Sequence, residues 1–452
     1  MSIRPTASAA TSTKLRPYQL GSLLLCMVLN MLDGYDIFIM AFAIPFLPDG
    51  FATPRELGFL ISAALAGQAV GALGVARFAD IVGRRRLLLI ALTINTIGLV
   101  ASALSTAAWH LLLFRFVTGI AVGMITVVAV VLGQELAPKD RRSMAVGLVV
   151  VGYPLGSTIA GLSGATLLAV VGGAWQGMFW IGAGMSTVIA LIAWAALPES
   201  VAFLRRRGTP AALKKAAELS ERLGLGSLET DSPAASTSGA PMRKPRLLGK
   251  EFRNRTLLLW CGYSSLTAAY YFVGTWTPKL VKDFSGSAGA GSVAGLTISV
   301  GTLVGAVVFG VAGLKFRASA FAVIAAVVGA VAVTLFAVLT TGPLALAVAA
   351  VLGISVFGCI TAFTAASTFL YPVEARASSY GAMNGVGRLG AVLGPIVAGY
   401  AVTLMSMRWT YMIAALLLVA AATAAFGIDR TTERPTERNN DDAPTRTRKV
   451  PS

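Results

Sequence analysis

The chain has 452 residues, of which 56% are hydrophobic and 13% charged, and its mean hydropathy is +0.75. A soluble domain carries roughly a quarter charged residues, so these charges are too few to cover a water-facing surface of ordinary size. The net charge of +17 would suggest nucleic acid in a soluble protein, but here the charges fall between apolar segments and mark topology instead.

Apolar stretches of about 20 residues, long enough to cross a bilayer, recur along the chain. They give twelve expected spans: 19–47, 57–79, 86–106, 109–133, 143–170, 175–197, 256–280, 291–313, 318–340, 343–370, 379–404 and 408–427. The first follows a polar leader, 1–18, and is too long for a cleaved signal peptide. The alternate connections that include both ends hold 31 of the 37 Lys and Arg. The opposite set holds four, Arg55, Lys279, Lys282 and Arg408, and two, Arg115 and Arg388, fall inside spans. This bias places both termini in the cytoplasm and requires an even number of spans. The expected location is therefore the cytoplasmic membrane, crossed many times.

The expected domains are a first six-helix half over 19–197, a cytoplasmic linker over 198–255, a second six-helix half over 256–427 and a disordered tail over 428–452. Within the linker, Lys214 to Leu223 has the pattern of a short amphipathic helix. Residues 226–242, rich in Ser, Ala, Gly and Pro, read as a flexible connection. Cys26, Cys261 and Cys359 lie apart within apolar segments and form neither a disulfide framework nor a metal-ligand set.

The halves match at a fixed offset of 234 residues. Pro138, Arg142, Gly147 and Gly156 recur as Pro372, Arg376, Gly381 and Gly390; Gly71 recurs as Gly305; Trp175 and Met178 recur as Trp409 and Met412. Small residues at such places let helices approach closely. Duplicated six-helix halves around a central site are a transporter architecture.

Charges within spans are costly in hydrocarbon and mark function. Asp33 and Asp36 lie near the middle of the first span, three residues apart on one helix face. Two partly desolvated carboxylates this close do not both ionise easily, which suits the loading and release of a proton. The alternative is that one Asp caps or bends the helix at Gly34. Arg388, in the eleventh span, has a planar fork suited to a substrate carboxylate; the alternative is a structural ion pair with Asp33 or Asp36, which a substrate carboxylate could displace. Arg115, in the fourth span, fits substrate binding, tuning of proton exchange or a structural pair. Tyr270, Tyr271 and Tyr35 offer flat apolar surfaces for an aromatic ring, whereas Trp260 and Trp276 suit belts or packing.

The segment Gly71-Ala-Leu-Gly-Val-Ala-Arg-Phe-Ala-Asp80-Ile-Val-Gly83-Arg84-Arg85-Arg86 resembles the loop 2–3 signature of the major facilitator superfamily. Arg115 with Gly119 and Gly123 resembles that superfamily's fourth-helix motif, and Leu197-Pro198-Glu199-Ser200 its motif after helix six. Asp33-Gly34-Tyr35-Asp36 resembles the signature of the aromatic acid:proton symporters, whose charged positions Arg115, Glu135, Arg376 and Arg388 also fit. Ala76 and Ile81 depart from the loop signature, and the second copy at Gly313 to Arg317 lacks its acidic residue.

The resemblance implies an all-α membrane protein of the major facilitator fold. It also implies a transporter, not an enzyme, that imports a small benzoate-like carboxylate with a proton by alternating access. Asp80, Gly83, Arg84, Arg85, Glu135 and Arg376 would form a cytoplasmic gating network. No cofactor beyond the coupling proton is expected. The expected partners are the substrate, the proton and the lipid bilayer, without nucleic acid or a second subunit. Proton-antiport efflux of drugs or metabolites, and symport of another organic acid, use the same fold. A membrane sensor or membrane catalyst is the reading from another class; no nucleotide loop, metal cluster or nucleophile–base set supports it.

Overall fold

A computed structural model describes residues 16–138, 141–167, 174–223, 247–250, 252–312 and 317–433. Most of the expected leader, the flexible stretch 226–242, most of the second loop at 313–317 and the tail beyond Glu433 lie outside the described residues.

The chain divides into two compact units, Met1–Met242 and Arg243–Ser452. The first contains α1 (Pro17–Ala43), α2 (Pro54–Val82), α3 (Arg84–Ala103), α4 (Ala108–Leu136), α5 (Arg142–Leu162) and α6 (Gln176–Ala196). Two short helices follow, α7 (Val201–Arg207) and α8 (Pro210–Arg222). The second unit contains α9 (Arg253–Ser285), α10 (Ala288–Ala312), α11 (Ala318–Leu339), α12 (Pro343–Phe369), α13 (Val373–Leu404) and α14 (Met407–Glu433).

Twelve of the described helices are thus long enough to span a bilayer. Eleven are also apolar enough by average hydropathy. The exception is α9, 33 residues long, where charged residues at both ends and Ser264, Ser265, Thr267, Tyr270, Tyr271, Thr275 and Thr277 between them lower the average. Each Thr in that list with a described bond returns its hydroxyl to a carbonyl of its own helix, as Thr275 does to Tyr271 at 2.5 Å and Thr277 to Val273 at 2.6 Å. Such back-bonding lets a polar composition sit inside a membrane helix.

Helix packing repeats from unit to unit. In the first, α2 lies on α4, α1 on α5, and α3 on both α4 and α6; in the second, α10 lies on α12, α9 on α13, and α11 on both α12 and α14. The offset of 234 has its physical cause in these pairs. A Cβ on Gly67, Gly71 or Gly119 would run into the backbone of Phe116, Ile120 or Ala64. A Cβ on Gly301, Gly305 or Gly353 would meet Ala350, Ile354 or Ile298, the same positions one repeat later. The tryptophans match in sequence but not in environment: Trp175 is buried and Trp409 is 67% exposed.

The amphipathic helix expected in the linker is α8. Thr209 caps it, accepting from the Ala212 amide at 3.3 Å. Its Ala212, Ala216, Leu219 and Leu223 join the core cluster of Leu25, Leu29, Leu88 and Leu132. The Arg16 guanidinium donates to the Glu221 carbonyl at 2.5 Å, tying the start of α1 to the end of α8. At the other end of the chain, α14 runs through Glu433, so the first residues of the expected tail are helical. The Asp429 carboxylate accepts from the Ser319 hydroxyl at 2.5 Å, and Arg430 lies 4.5 Å over the Phe426 ring.

Close helix approach carries a clear expectation. Gly119→Val should destabilise the protein by about 1–3 kcal/mol, the cost of overpacking, because α2 backbone fills the space. Gly184→Val, where nothing lies within 4 Å of the place a Cβ would take, should leave the melting temperature in detergent unchanged.

Candidate functional site

In the first unit, Asp33 and Asp36 are 3% and 1% exposed. Their partners come from α2 and α4. Asp36 Oδ1 accepts from Arg115 Nη1 at 2.9 Å, and its backbone carbonyl accepts from Arg115 Nη2. Thr118 donates to Asp36 Oδ2 at 3.5 Å and accepts from Arg115 Nη1 at 3.3 Å. Asp33 Oδ1 accepts from the Gln68 amide at 2.6 Å, and Oδ2 from the Thr126 hydroxyl at 2.8 Å. Arg115 itself is fully buried. Of the readings open for Arg115 in the sequence, the geometry displays the pair with Asp36.

Local packing lets this happen. Gly34 sits between the two carboxylates with its missing Cβ against the Tyr153 carbonyl of α5. Gly152 and Gly156 in turn meet the backbone of Met27 and Met31. Seated tightly on α5, α1 presents Asp33 and Asp36 to α2 and α4. Tyr35 points elsewhere: its hydroxyl donates to the Met178 carbonyl of α6 at 2.9 Å, and its ring covers Gly182. The structure spends Tyr35 on packing against α6.

Gln68, Thr118 and Thr126 were not singled out from the sequence. A signal existed for each. Gln68 is the one amide in the apolar run Ala63–Ala72, and Arg115, Thr118 and Thr126 share a face of α4 by helical period.

The second unit has different chemistry. Along α13, Tyr380, Asn384 and Arg388 follow at intervals of four on one face. Across from them, the Tyr263 hydroxyl of α9 donates to Asn384 Oδ1 at 3.4 Å. The Arg388 charge lies within electrostatic range of the phenols of Tyr263 and Tyr380. The Tyr270 ring meets Tyr271 edge-on at 5.0 Å and lies tilted against Phe357 at 6.2 Å. The glycines flanking Arg388 are filled by α9: the Tyr263 ring lies against Gly387 and the Ser264 carbonyl against Gly390.

The charge network expected between α2 and α3 is present. Arg84 meets Asp80 at 3.0 Å and Glu135 at 3.2 Å. Gly83, at φ 101°, occupies backbone space that favours glycine, and a Cβ there would strike Glu199 and the Phe203 ring. Two members were missed in the sequence. Glu199 accepts from the Arg85 amide at 3.1 Å, and Arg206 meets Asp80 at 3.3 Å. The motif after α6 is therefore the counterpart of the loop signature. The Arg85 guanidinium caps the Trp194 carbonyl. Arg376, in the second unit, donates from Nε to the Tyr371 carbonyl at 3.2 Å.

The profile of the Major Facilitator Superfamily matches residues 26–395 and 360–451. The chain belongs to the major facilitator superfamily. Among curated relatives, it is 31% identical to the gallate transporter of Pseudomonas putida over 392 residues, covering 86% of each chain. It is 30% identical to the 4-hydroxybenzoate transporter PcaK of Pseudomonas aeruginosa over 422 residues, covering 91% of this chain and 92% of that one. The solved structure of the xylose transporter XylE from E. coli, in a partially occluded inward-open conformation, superposes with a TM-score of 0.71 at 17% identity, over 90% of this chain and 97% of that one. The protein is a multi-pass membrane transporter and not an enzyme.

The buried pair predicts non-additive stability. Arg115→Ala alone should cost about 3–5 kcal/mol, because it leaves Asp36 buried without its counter-charge. Adding Asp36→Ala should recover much of that loss, a coupling readable as a double-mutant cycle of melting in detergent.

Proposed function

We propose that this transporter is a proton symporter that imports a small aromatic carboxylate across the cytoplasmic membrane by alternating access, as a monomer with both termini in the cytoplasm. The observation that carries the proposal is the buried carboxylate pair on α1, in a chain whose relatives at about 30% identity are named for gallate and 4-hydroxybenzoate.

Within the pair, Asp33 is the proton carrier. Asp36 is matched by Arg115 at 2.9 Å, and protonating it would strand a buried cation. Asp33 takes hydrogen bonds from the Gln68 amide and the Thr126 hydroxyl. A protonated Asp33 keeps the first, and can donate to the second because a hydroxyl rotor turns either way. A proton can therefore come and go without dismantling the site. Arg388 binds the substrate carboxylate through its bidentate fork. Tyr271 and Tyr270 provide aromatic surface in the same unit. The network of Asp80, Gly83, Arg84, Arg85 and Glu135, with Arg376 in the second unit, serves as the cytoplasmic gate.

The Gly152-Tyr153-Pro154-Leu155-Gly156 segment loosely resembles the antiporter motif, but both glycines are occupied by α1 backbone. Helix packing accounts for them without efflux.

Proton flux separates the two directions of coupling. With protein in liposomes and no pH gradient, external 4-hydroxybenzoate should draw protons inward with the substrate, so the lumen acidifies; antiport gives the opposite sign. Asp33→Asn, correctly inserted, should lose accumulation against a gradient altogether. Continued uphill uptake by that variant would overturn the assignment.

A further inference from the structure

Arg388 accounts for a carboxylate and leaves the neighbouring polar groups of the second unit without a purpose. One turn towards the start of α13, about 6 Å along the axis, is Asn384. Its amide Nδ2 donates to the Tyr380 carbonyl at 3.0 Å, the backbone four residues back. The rest of the amide faces the phenol of Tyr263, which donates to Oδ1 at 3.4 Å, and Tyr380 lies one turn back on the same helix face. Tyr263 is 7% exposed and held between the Phe363 ring at 6.3 Å and Gly387. Asn384 and Arg388 are only half-buried, so this face of α13 stays open beside a fixed phenol.

Packing alone does not require such a set. A buried phenol bonded to an amide on an adjoining membrane helix costs more than the apolar residues that would fill the same volume. The Tyr263–Asn384 bond also lies at the long, weak end of the hydrogen-bond range, so a better-placed group displaces it easily. A hydroxyl is both donor and acceptor. Inserted here, it gives its proton to the Asn384 oxygen and accepts one from a phenol whose O–H turns to meet it. The step from Arg388 to Asn384 is close to the distance from a benzoic acid's carboxylate to a substituent on the far side of its ring.

We propose that Asn384, with Tyr263 and Tyr380, forms a subsite that reads a ring hydroxyl on the substrate, so that the transporter selects hydroxylated aromatic acids over the unsubstituted acid. The inference rests on the assignment of Arg388 to the substrate carboxylate and adds the group that determines specificity. A substrate lacking the hydroxyl leaves Asn384 with its weak internal bond and gains nothing from the phenols. Sites built to bond a hydroxyl discriminate strongly against analogues without it.

The test uses the full-length protein in liposomes, with labelled 4-hydroxybenzoate as the probe and benzoate, 4-methylbenzoate and unlabelled 4-hydroxybenzoate as competitors. In the wild type, benzoate and 4-methylbenzoate should need at least about tenfold higher concentration for half-inhibition than 4-hydroxybenzoate, as expected for a hydrogen bond formed out of water. Asn384→Leu and Tyr263→Phe should each bring that ratio down towards one. Tyr263→Phe keeps the ring that packs on Gly387, so it reports the hydroxyl alone even where Asn384→Leu fails to insert. A wild-type ratio near one, or an unchanged ratio in the variants, overturns the subsite while leaving aromatic acid transport intact. If neither benzoate nor 4-hydroxybenzoate binds or moves, the aromatic-carboxylate assignment itself falls, and the subsite with it.

Discussion

Everything distinctive about the first unit depends on keeping two carboxylates inside a membrane helix. An isolated charge there is costly, so α1 can carry Asp33 and Asp36 only because α2 and α4 bring partners to them. Arg115 neutralises one, while Gln68 and Thr126 hydrogen-bond the other. That requirement fixes the rest. α1 must lie against α5 closely enough for its polar face to meet α2 and α4, which is why Gly34, Gly152 and Gly156 have backbone where a Cβ would be. It also spends Tyr35, one of the two residues between the acids, on α6. At about 100° per residue, positions 33 and 36 lie close together on one face and position 35 is turned well away from it.

The two units share a scaffold and diverge in chemistry. Helix pairings and backbone approaches at the glycines repeat at 234 residues. The polar set does not. Asp33 and Asp36 correspond to Thr267 and Tyr270; Gln68, Arg115, Thr118 and Thr126 correspond to Thr302, Ala349, Leu352 and Ile360. In the second unit Thr267 returns its hydroxyl to carbonyls, including that of Gly387 at 2.8 Å, and Tyr270 lies tilted against Phe357. Its one embedded cation, Arg388, sits on α13, where the first unit has Pro154. Duplication supplied the packing, and the two copies then took on unlike groups: a compensated acid pair in one, a cation beside phenols in the other.

The span pattern was legible because bilayer thickness sets helix length and leaves composition little freedom. Even α9, whose average hydropathy falls short, stood out by length and position. The acids and arginines were legible for the same reason: a charge in hydrocarbon is conspicuous. What the sequence hid is the neutral half of each site. Gln68, Thr126 and Asn384 look ordinary in a helix, since an amide or hydroxyl costs little when it bonds backbone, and only the fold shows which ones bond a carboxylate or a phenol instead. Glu199 and Arg206 were hidden differently. The motif holding Glu199 was visible, but its partners lie more than a hundred residues back, at Gly83 and Arg85, and Arg206 reaches as far back to Asp80. Tyr35 misled because an aromatic beside two acids suits a binding site by composition, and its direction depends on helix phase.

The network below α2 shows how a loop signature becomes a packed junction. Gly83 is required twice: its φ of 101° suits glycine, and the space of a side chain is filled by Glu199 and Phe203. Phe203 in turn lies 5.9 Å under the Arg84 guanidinium, which also holds Asp80 and Glu135. The turn between α2 and α3, the end of α4 and the start of α7 therefore meet at a single arginine. α7 leads directly to α8, whose apolar face is buried in the core beneath α1. The same run of chain thus reaches from the charge cluster at Arg84 to the base of the helix that carries Asp33 and Asp36. Within this unit a change at either end has a continuous, close-packed path to the other, and such packed elements shift between discrete arrangements instead of deforming gradually.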